Sequence, residues 1–103
     1  MKVTDDGVIN HAPVHFAWDD LSDEPAVERG IRILRDVGFD LHHQITFYVL
    51  AGFNTTFEQD VYRCNKLREW GVNSFVMPYR KTKEISRLMR WCRPWIYWSG
   101  PFS

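Results

Sequence analysis

The sequence predicts an α/β fold built from three consecutive β-α units with a parallel sheet. Three short apolar segments, rich in β-branched and aromatic residues, are each followed by apolar residues at helical spacing. Two of the helical segments end in the same pattern, Leu-Arg-acid-apolar-Gly, at Leu34–Gly38 and Leu67–Gly71, and their final glycines lie 33 residues apart. That spacing accommodates one strand and one helix, so we expect repeated units joined by right-handed crossovers.

The first unit consists of a short strand and a well-delimited helix. Val14–Trp18 is the predicted strand, and the acidic turn after it ends the apolar run. Ser22 or Asp23 can cap the helix that follows, and Pro25 falls in its first turn, where a missing N–H group is tolerated. Gly38 is expected to end this helix in the left-handed conformation.

The second unit is the strongest signal in the chain. Its strand lies within Ile45–Thr56 and begins as a near-continuous apolar run, which is typical of a strand buried on both faces. Gly52 breaks the run, and a polar turn leads into the helical segment Phe57–Trp70. Either threonine of the turn can form a capping box with a side chain three residues later, the candidate pairs being Thr55–Glu58 and Thr56–Gln59.

The third unit is shorter and is followed by an aromatic tail. Ser74–Met77 is the predicted strand, closed by Pro78, and Lys83–Arg93 is the predicted helix, stopped by Pro94. We assign no regular structure to Trp95–Ser103. The predicted organisation is an irregular lead-in at residues 1–13, a half-barrel of β-α units at 14–98 and a tail at 99–103.

Composition and charge narrow the class of protein. The chain has 103 residues, 45% of them hydrophobic and 25% charged, which fits one packed domain or part of one. No apolar run reaches the roughly 20 residues of a membrane-spanning helix, so a soluble protein without membrane association is expected. No signal peptide is recognised, so we expect the protein in the cytoplasm. Residues 1–60 hold 11 acidic and 4 basic side chains, whereas residues 61–103 hold 2 acidic and 9 basic ones.

The two cysteines, Cys64 and Cys92, fall in separate helical segments without metal-ligand spacing. In a cytosolic protein they are expected to be reduced, buried thiols rather than a structural disulfide. The histidines do not predict a metal site either. His42 and His43 are adjacent, so on a strand their side chains would point to opposite faces, and no acidic partner lies at ligand spacing.

A sheet of only three parallel strands exposes backbone and apolar surface that a stable protein normally buries. Both of its edges are unpaired, and a barrel segment also exposes its inner face. We therefore expect the isolated chain to form a dimer or larger homo-oligomer, to aggregate, or to complete itself against a partner polypeptide.

Three segments carry a resemblance to a known family: Phe16–Asp20, Tyr48–Thr56 and Val76–Tyr79. In their order and spacing they resemble the C-terminal half of a radical SAM enzyme, over about residues 14–98. The resemblance implies strands 4–6 of a partial (β/α)6 barrel. In that family the barrel holds a [4Fe–4S] cluster and S-adenosylmethionine at the carboxyl ends of the strands.

The resemblance also implies which residues bind S-adenosylmethionine. Gly52 matches the second glycine of the family's fifth-strand motif, whereas Tyr48, Leu50 and Thr55 depart from its other positions. From the residues alone, Gly52 is more simply a strand terminator, Asp19 a turn or cap residue, and Asn54 and Thr55 are turn and N-cap residues. The cofactor-binding candidates are Trp18, Asp19, Gly52, Asn54, Thr55, Val76, Met77 and Tyr79.

The cluster-binding loop of the family, CxxxCxxC, has no counterpart in this sequence. Three thiolates are needed to hold three irons of the cluster, and the two cysteines on predicted outer helices cannot replace them. We therefore assign no catalytic residue and no metal ligand, and we expect no catalysis by this chain alone. It is interpreted as a fragment, a split-gene product or one half of a complex, with the missing N-terminal half-barrel as its partner.

Two other functions remain open. One is a structural half-barrel that pairs with a copy of itself. The other is single-stranded nucleic-acid binding, because cations alternate with aromatic rings in the last third of the chain. The residues that form this basic aromatic segment are Arg80, Lys81, Lys83, Arg87, Arg90, Trp91, Arg93, Trp95, Tyr97 and Trp98.

Overall fold

A computed structural model of the chain describes residues 13–102. The predicted lead-in therefore lies almost entirely outside the described residues, as does the end of the tail. The strands are β1 (Val14–Ala17), β2 (Ile45–Ala51) and β3 (Asn73–Pro78). The helices are α1 (Glu24–Val37), α2 (Leu41–Gln44), α3 (Phe57–Glu69), α4 (Lys83–Trp91) and α5 (Pro94–Tyr97).

The three strands form one parallel sheet in the order β1-β2-β3, which confirms the predicted fold class. Ala17 of β1 lies beside Tyr48 of β2, and Tyr48 lies beside Phe75 of β3. Because consecutive strands follow one another across the sheet, crossovers of one hand bring all connecting helices to the same face. The sheet is therefore wound in one direction, with its connecting helices on one face.

The burial of β2 shows the two different faces of the sheet. Its residues alternate strictly between buried and half-buried from Ile45 to Ala51. The buried set faces the helices, where Leu67 of α3 and Leu88 of α4 are fully enclosed. On the opposite face, which we call the open face, Phe75 and Met77 are 54% and 46% exposed. The prediction that the second strand is buried on both faces is therefore wrong within the described residues.

Residues near the helix ends determine where the helices begin and end, and most of these ends were predicted from the sequence. Thr56, rather than Thr55, caps α3 in a complete capping box with Gln59. Gly38 and Gly71 both follow helices in the left-handed conformation, with φ of 114° and 86°. At the start of α1 the expected caps make no side-chain bond to the helix. Instead Asp20 accepts the Ser22 backbone N–H at a 3-10 turn just before α1.

The segment Trp95–Ser103, to which no regular structure was assigned, contains most of a short helix, α5. Pro94 stands at the start of α5, where its fixed φ suits a helix, so it ends α4 and begins the next element. The reason for the helix is burial, since Tyr97 is fully enclosed and packs on Trp91 with ring centroids 4.8 Å apart. The Tyr97 hydroxyl donates to the Val72 carbonyl at 2.7 Å.

Replacing Tyr97 with phenylalanine is expected to lower the free energy of unfolding by about 1–2 kcal/mol, because the buried Val72 carbonyl loses this donor. Urea denaturation at neutral pH measures the change. Tyr62→Phe is the matched control, since the Tyr62 hydroxyl donates to Glu24 at the surface and should contribute less than about 0.5 kcal/mol. Equal losses in the two variants would contradict the role given to Tyr97.

A second short helix, α2, precedes β2 and was also not predicted. Asp40 caps it by accepting the His43 backbone N–H, and its carboxylate also contacts the His43 ring at 2.8 Å. That contact lowers the pKa of Asp40 below its ordinary value. His42 stacks on Trp98 with centroids 4.0 Å apart. The two histidines thus lie on one helical turn rather than on a strand.

Candidate functional site

The carboxyl ends of β1 and β2 border a cleft at one edge of the sheet. Parallel strands end at the same edge, so the turns that follow them lie side by side there. The cleft has a volume of about 360 Å³. Its lining residues are Asp19, Asp20, Leu21, Leu50, Phe53, Asn54, Thr55 and Gln59. Three of the predicted cofactor-binding residues, Asp19, Asn54 and Thr55, are therefore brought together.

A fully buried ion pair lies beneath this cleft. Asp60 and Arg63 are one turn apart on α3, both side chains are completely enclosed, and their nearest atoms, Oδ1 and Nη2, are 2.6 Å apart. Removing charges from water costs several kcal/mol for each ion, so such a pair persists only where further hydrogen bonds satisfy it. The surrounding backbone supplies those bonds.

Arg63 fastens the ends of both strands to α3. One guanidinium nitrogen, Nη1, donates to the Trp18 carbonyl at 2.6 Å, and Nη2 donates to the Leu50 carbonyl at 2.9 Å. Within the described residues its Nε has no hydrogen-bond partner. The guanidinium therefore fixes the relative position of the two turns that form the walls of the cleft.

Asp60 holds the turn after β2 in the same way. Its carboxylate accepts the Gly52 backbone N–H at 3.1 Å and the Thr55 hydroxyl at 2.6 Å. Thr55 is thereby committed to the buried carboxylate, which explains why Thr56 caps the helix. Asn54 lies between them in the left-handed conformation, with φ of 55°, a region that asparagine tolerates better than most residues. The resulting turn is held rigidly in place.

Position 52 requires glycine for two reasons, its backbone conformation and its close packing against α4. Its φ is 81°, and a Cβ atom added there would lie 3.1 Å from Cδ1 of Ile85. The space next to its α-carbon is thus filled by Ile85 and the Arg80 backbone rather than lying open to the cleft. Gly52 shapes the wall of the cleft from behind.

Alanine at Gly52 is expected to lower the free energy of unfolding by about 1–2 kcal/mol from the left-handed backbone, plus a further loss from crowding Ile85. Gly71→Ala is the matched control, because Gly71 has φ of 86° and nothing within 4 Å of an added Cβ. The difference between the two variants in urea denaturation measures the packing contribution. If Gly71→Ala lowered the free energy of unfolding as much as Gly52→Ala, the packing role of Gly52 would be contradicted.

The cleft is acidic. Asp20 accepts both the backbone N–H and the hydroxyl of Ser22 at 2.9 Å, and these bonds hold the pKa of Asp20 below its ordinary value. Asp19 lies beside it and accepts the Leu50 backbone N–H at 3.4 Å. Two carboxylates on one wall attract cationic groups and can accept hydrogen bonds from hydroxyls.

An exposed pair of aromatic rings adjoins the cleft. Phe53 and Tyr79 have ring centroids 4.7 Å apart, and their side chains are 43% and 60% exposed. The Tyr79 backbone N–H donates to the Ala51 carbonyl at 2.9 Å, which continues the pairing of β3 with β2 beyond Pro78. The pair offers apolar ring surface to the cleft, which Phe53 itself lines.

The structure places the other candidate residues elsewhere. The Trp18 side chain is fully buried, stacks on Trp70 and donates to the Asp20 carbonyl. Val76 is buried on the helix-covered face, and Met77 projects from the open face. Of the predicted set, Asp19, Asn54 and Thr55 line the cleft, Gly52 supports it, and Tyr79 stands next to it.

Reasoning from the sequence missed Asp60, Arg63 and Phe53. The available signal was an acid and an arginine three residues apart at the start of a helix that follows a glycine turn. On its own that pattern indicates an exposed helical ion pair. Only the fold shows that both charges lie beneath the sheet edge.

The candidate site offers no ligands for an iron–sulfur cluster. Neither Cys64 nor Cys92 lines the cleft. Nowhere in residues 13–102 do three or more His, Cys, Asp or Glu side chains converge in a way that could hold a metal ion. Over the same residues, no helix has the length and apolar character needed to cross a membrane.

Comparison of the chain with protein-family models, with curated proteins and with solved structures finds no match.

Proposed function

We propose that this chain is the C-terminal half of a radical SAM-type barrel and that its edge cleft forms one wall of an S-adenosylmethionine site. The observation that carries the proposal is an acidic cleft at the carboxyl edge of a sheet whose open face is bare. Ligands of singly wound α/β folds bind at that edge. The inner face of a barrel segment is exposed when the other strands of the barrel are absent.

The charges of the cleft suit the cationic parts of the ligand. S-adenosylmethionine carries a sulfonium and an ammonium group, and the carboxylates of Asp19 and Asp20 are placed to attract them. The same carboxylates and the Asn54 amide can bond the ribose hydroxyls. A volume of about 360 Å³ is near the lower limit of small-molecule sites, which fits a cleft with only one wall.

The aromatic pair beside the cleft suits the adenine ring. Phe53 and Tyr79 present exposed faces on which a planar base can stack. Val76 can contribute only through its backbone, because its side chain is buried, whereas Met77 lies on the open face where a barrel interior would be. In this proposal the fold supplies position and charge, and the radical chemistry belongs to the cofactors.

The described residues do not fit the iron–sulfur cluster, so we derive no reaction step through it. The proposal assigns its thiolates to another polypeptide, the N-terminal half-barrel. It also places the chain in the cytoplasm, which the free thiols of Cys64 and Cys92 favour.

Isothermal calorimetry with S-adenosylmethionine tests the proposal. We expect weak binding, because the isolated chain supplies only one wall of the site. The dissociation constant should be about 1 mM, which corresponds to a binding free energy of about 4 kcal/mol in magnitude. S-adenosylhomocysteine, which lacks the sulfonium charge, should bind more weakly. Asp19→Asn should weaken S-adenosylmethionine binding, whereas Asp36→Asn, an exposed carboxylate on α1, should not. Absence of heat at millimolar ligand would contradict binding by the isolated chain.

A second candidate function, self-association, is favoured by the open face. Tyr48 packs against both His15 and Phe75 there, with centroids 5.2 and 5.5 Å apart, so one aromatic row crosses all three strands. Contiguous exposed apolar surface of this kind marks a protein contact. Without its other half, the chain would cover this face with a second copy of itself.

Nucleic-acid binding has less support. Within the basic aromatic segment, Trp91 and Tyr97 are buried and Trp98 stacks on His42. Trp95 is the ring of that segment that remains widely exposed, at 72%, with the Arg93 guanidinium 6.0 Å from its centroid. One ring and one cation give little stacking surface for a strand of bases.

A further inference from the structure

Residues of α4, of α5 and of the segment after α5 line a second cleft, which we call the arginine cleft. It has a volume of about 270 Å³ and shares no lining residue with the cleft at the sheet edge. Two arginines and four apolar residues line it: Arg87, Arg90, Trp91, Ile96, Pro101 and Phe102. The arginine cleft therefore combines positive charge with apolar surface.

Hydrogen bonds hold the apolar wall of this cleft in place. The Phe102 backbone N–H donates to the Asn65 side-chain oxygen at 3.0 Å, and the Phe102 carbonyl accepts from the Asn65 amide nitrogen at 3.3 Å. The Trp91 indole N–H donates to the Gly100 carbonyl at 3.0 Å. The rings of Trp91 and Phe102 meet edge to face, with centroids 5.8 Å apart. The segment after α5 is thus fastened to α3 and α4.

The two guanidinium groups of the cleft have no carboxylate partner among residues 13–102. Neither Arg87 nor Arg90 forms an ion pair there, although both side chains are exposed. Two acidic residues occur after residue 60 in the sequence. Glu69 pairs with a lysine on α3, and Glu84, on α4, makes no ion pair with either arginine. The positive charge at this cleft is therefore available to an anion from solution.

We propose that the arginine cleft binds a small aromatic carboxylate. The ligand ring packs on the apolar floor formed by Trp91 and Phe102, and the carboxylate accepts hydrogen bonds from Arg87 and Arg90. Guanidinium donors match the two oxygens of a carboxylate in spacing and in plane. The Arg87 guanidinium already lies 5.5 Å from the centroid of the Phe102 ring, so the charge and the apolar surface adjoin.

The size and the charge of the cleft define the class of ligand. Its volume is just below the roughly 300 Å³ at which small-molecule sites begin, so it admits one or two fused rings. Two arginines suit one carboxylate, whereas a polyphosphate needs more cations. A nucleic-acid strand needs several stacking rings in a row, which this cleft does not offer. The inference is independent of S-adenosylmethionine binding, because the two clefts are separate.

The test is an NMR titration of the isotopically labelled full chain with cinnamate. We expect saturable shifts of the Trp91 indole N–H and of the Gly100 and Phe102 amides at millimolar ligand. Cinnamyl alcohol has the same ring without the charge and should bind several times more weakly. Inorganic phosphate has the charge without the ring and should give no saturable shift at the same concentration. Added salt should weaken cinnamate binding, because the guanidinium groups are exposed.

Variants locate the binding site. Arg87→Gln and Arg90→Gln should each weaken cinnamate binding by about threefold or more, and leave the weaker binding of cinnamyl alcohol unchanged. Unchanged binding of the alcohol shows that the cleft itself is intact in the variant. Arg93→Gln is the matched control, because Arg93 belongs to the same basic segment but does not line the cleft. It should bind cinnamate like the wild-type chain.

Four results would overturn the proposal. Cinnamate could give no saturable shift, or it could shift residues of the open face instead of those of the cleft. Cinnamyl alcohol could bind as tightly as cinnamate, which would remove the role of the arginines. Inorganic phosphate could bind as tightly as cinnamate, which would remove the role of the rings. Arg93→Gln could weaken binding as much as Arg87→Gln, which would leave a general effect of charge.

Discussion

Replacing Arg63 with methionine is expected to lower the free energy of unfolding by roughly 3–5 kcal/mol, a large share of the stability of a small domain. Methionine fills much of the same space but leaves the Asp60 carboxylate buried without an opposite charge. The Trp18 and Leu50 carbonyls also lose their guanidinium donors. Urea denaturation followed by tryptophan fluorescence measures the loss.

Arg32→Met is the matched control for this prediction. Arg32 lies on α1, is 59% exposed and pairs with Glu28 at 3.4 Å, so its removal should change stability by less than about 0.5 kcal/mol. The double variant Asp60→Leu/Arg63→Met should lose less than the sum of the two single variants, because it leaves no unpaired buried charge. An Arg63→Met loss as small as that of Arg32→Met would show that the pair does not hold the strand ends.

Lysine at Phe75 is expected to abolish self-association of the isolated chain. Phe75 stands on the open face beside Tyr48 and is 54% exposed, so a second copy that covers this face would have to bury the new charge. Sedimentation velocity should show the wild-type chain as a dimer or larger species at micromolar concentration and the variant as a monomer. The stability of the monomer should change little, because Phe75 is outside the core.

Trp95→Lys controls for the simple removal of an exposed ring. Trp95 is more exposed than Phe75 but lies on α5 rather than on a strand of the sheet, so this variant should associate like the wild-type chain. A wild-type chain that sediments as a stable monomer would contradict the role given to the open face. Loss of association in both variants would contradict the assignment of the contact to the sheet.

The elements that could be predicted are those specified by neighbouring residues. Strand β2 and helix α3 follow from an apolar run, a glycine and a capping box, all within Ile45–Gly71. Helix α5 was missed because a proline that ends one helix can also begin another. What keeps α5 in place is the burial of Tyr97 against Val72, a contact that sequence spacing does not reveal.

The candidate site also contains some residues that the sequence indicated and others that only the fold reveals. Asp19, Asn54 and Thr55 were candidates through the family resemblance, and the parallel sheet brings them to one edge. Asp60 and Arg63 were not predicted. In the sequence, an acid and an arginine one turn apart indicate an exposed ion pair, and only the fold shows that both are buried.

The most direct test of the account is an NMR titration of the isotopically labelled chain with S-adenosylmethionine, because it shows where the ligand binds. The account predicts saturable shifts of the backbone amides of Asp19, Phe53, Asn54 and Tyr79, and little change in α1. Asp19→Asn should weaken the same shifts without moving them elsewhere. Absence of shifts at millimolar ligand, or shifts confined to residues away from the carboxyl edge of the sheet, would contradict the proposed half-site.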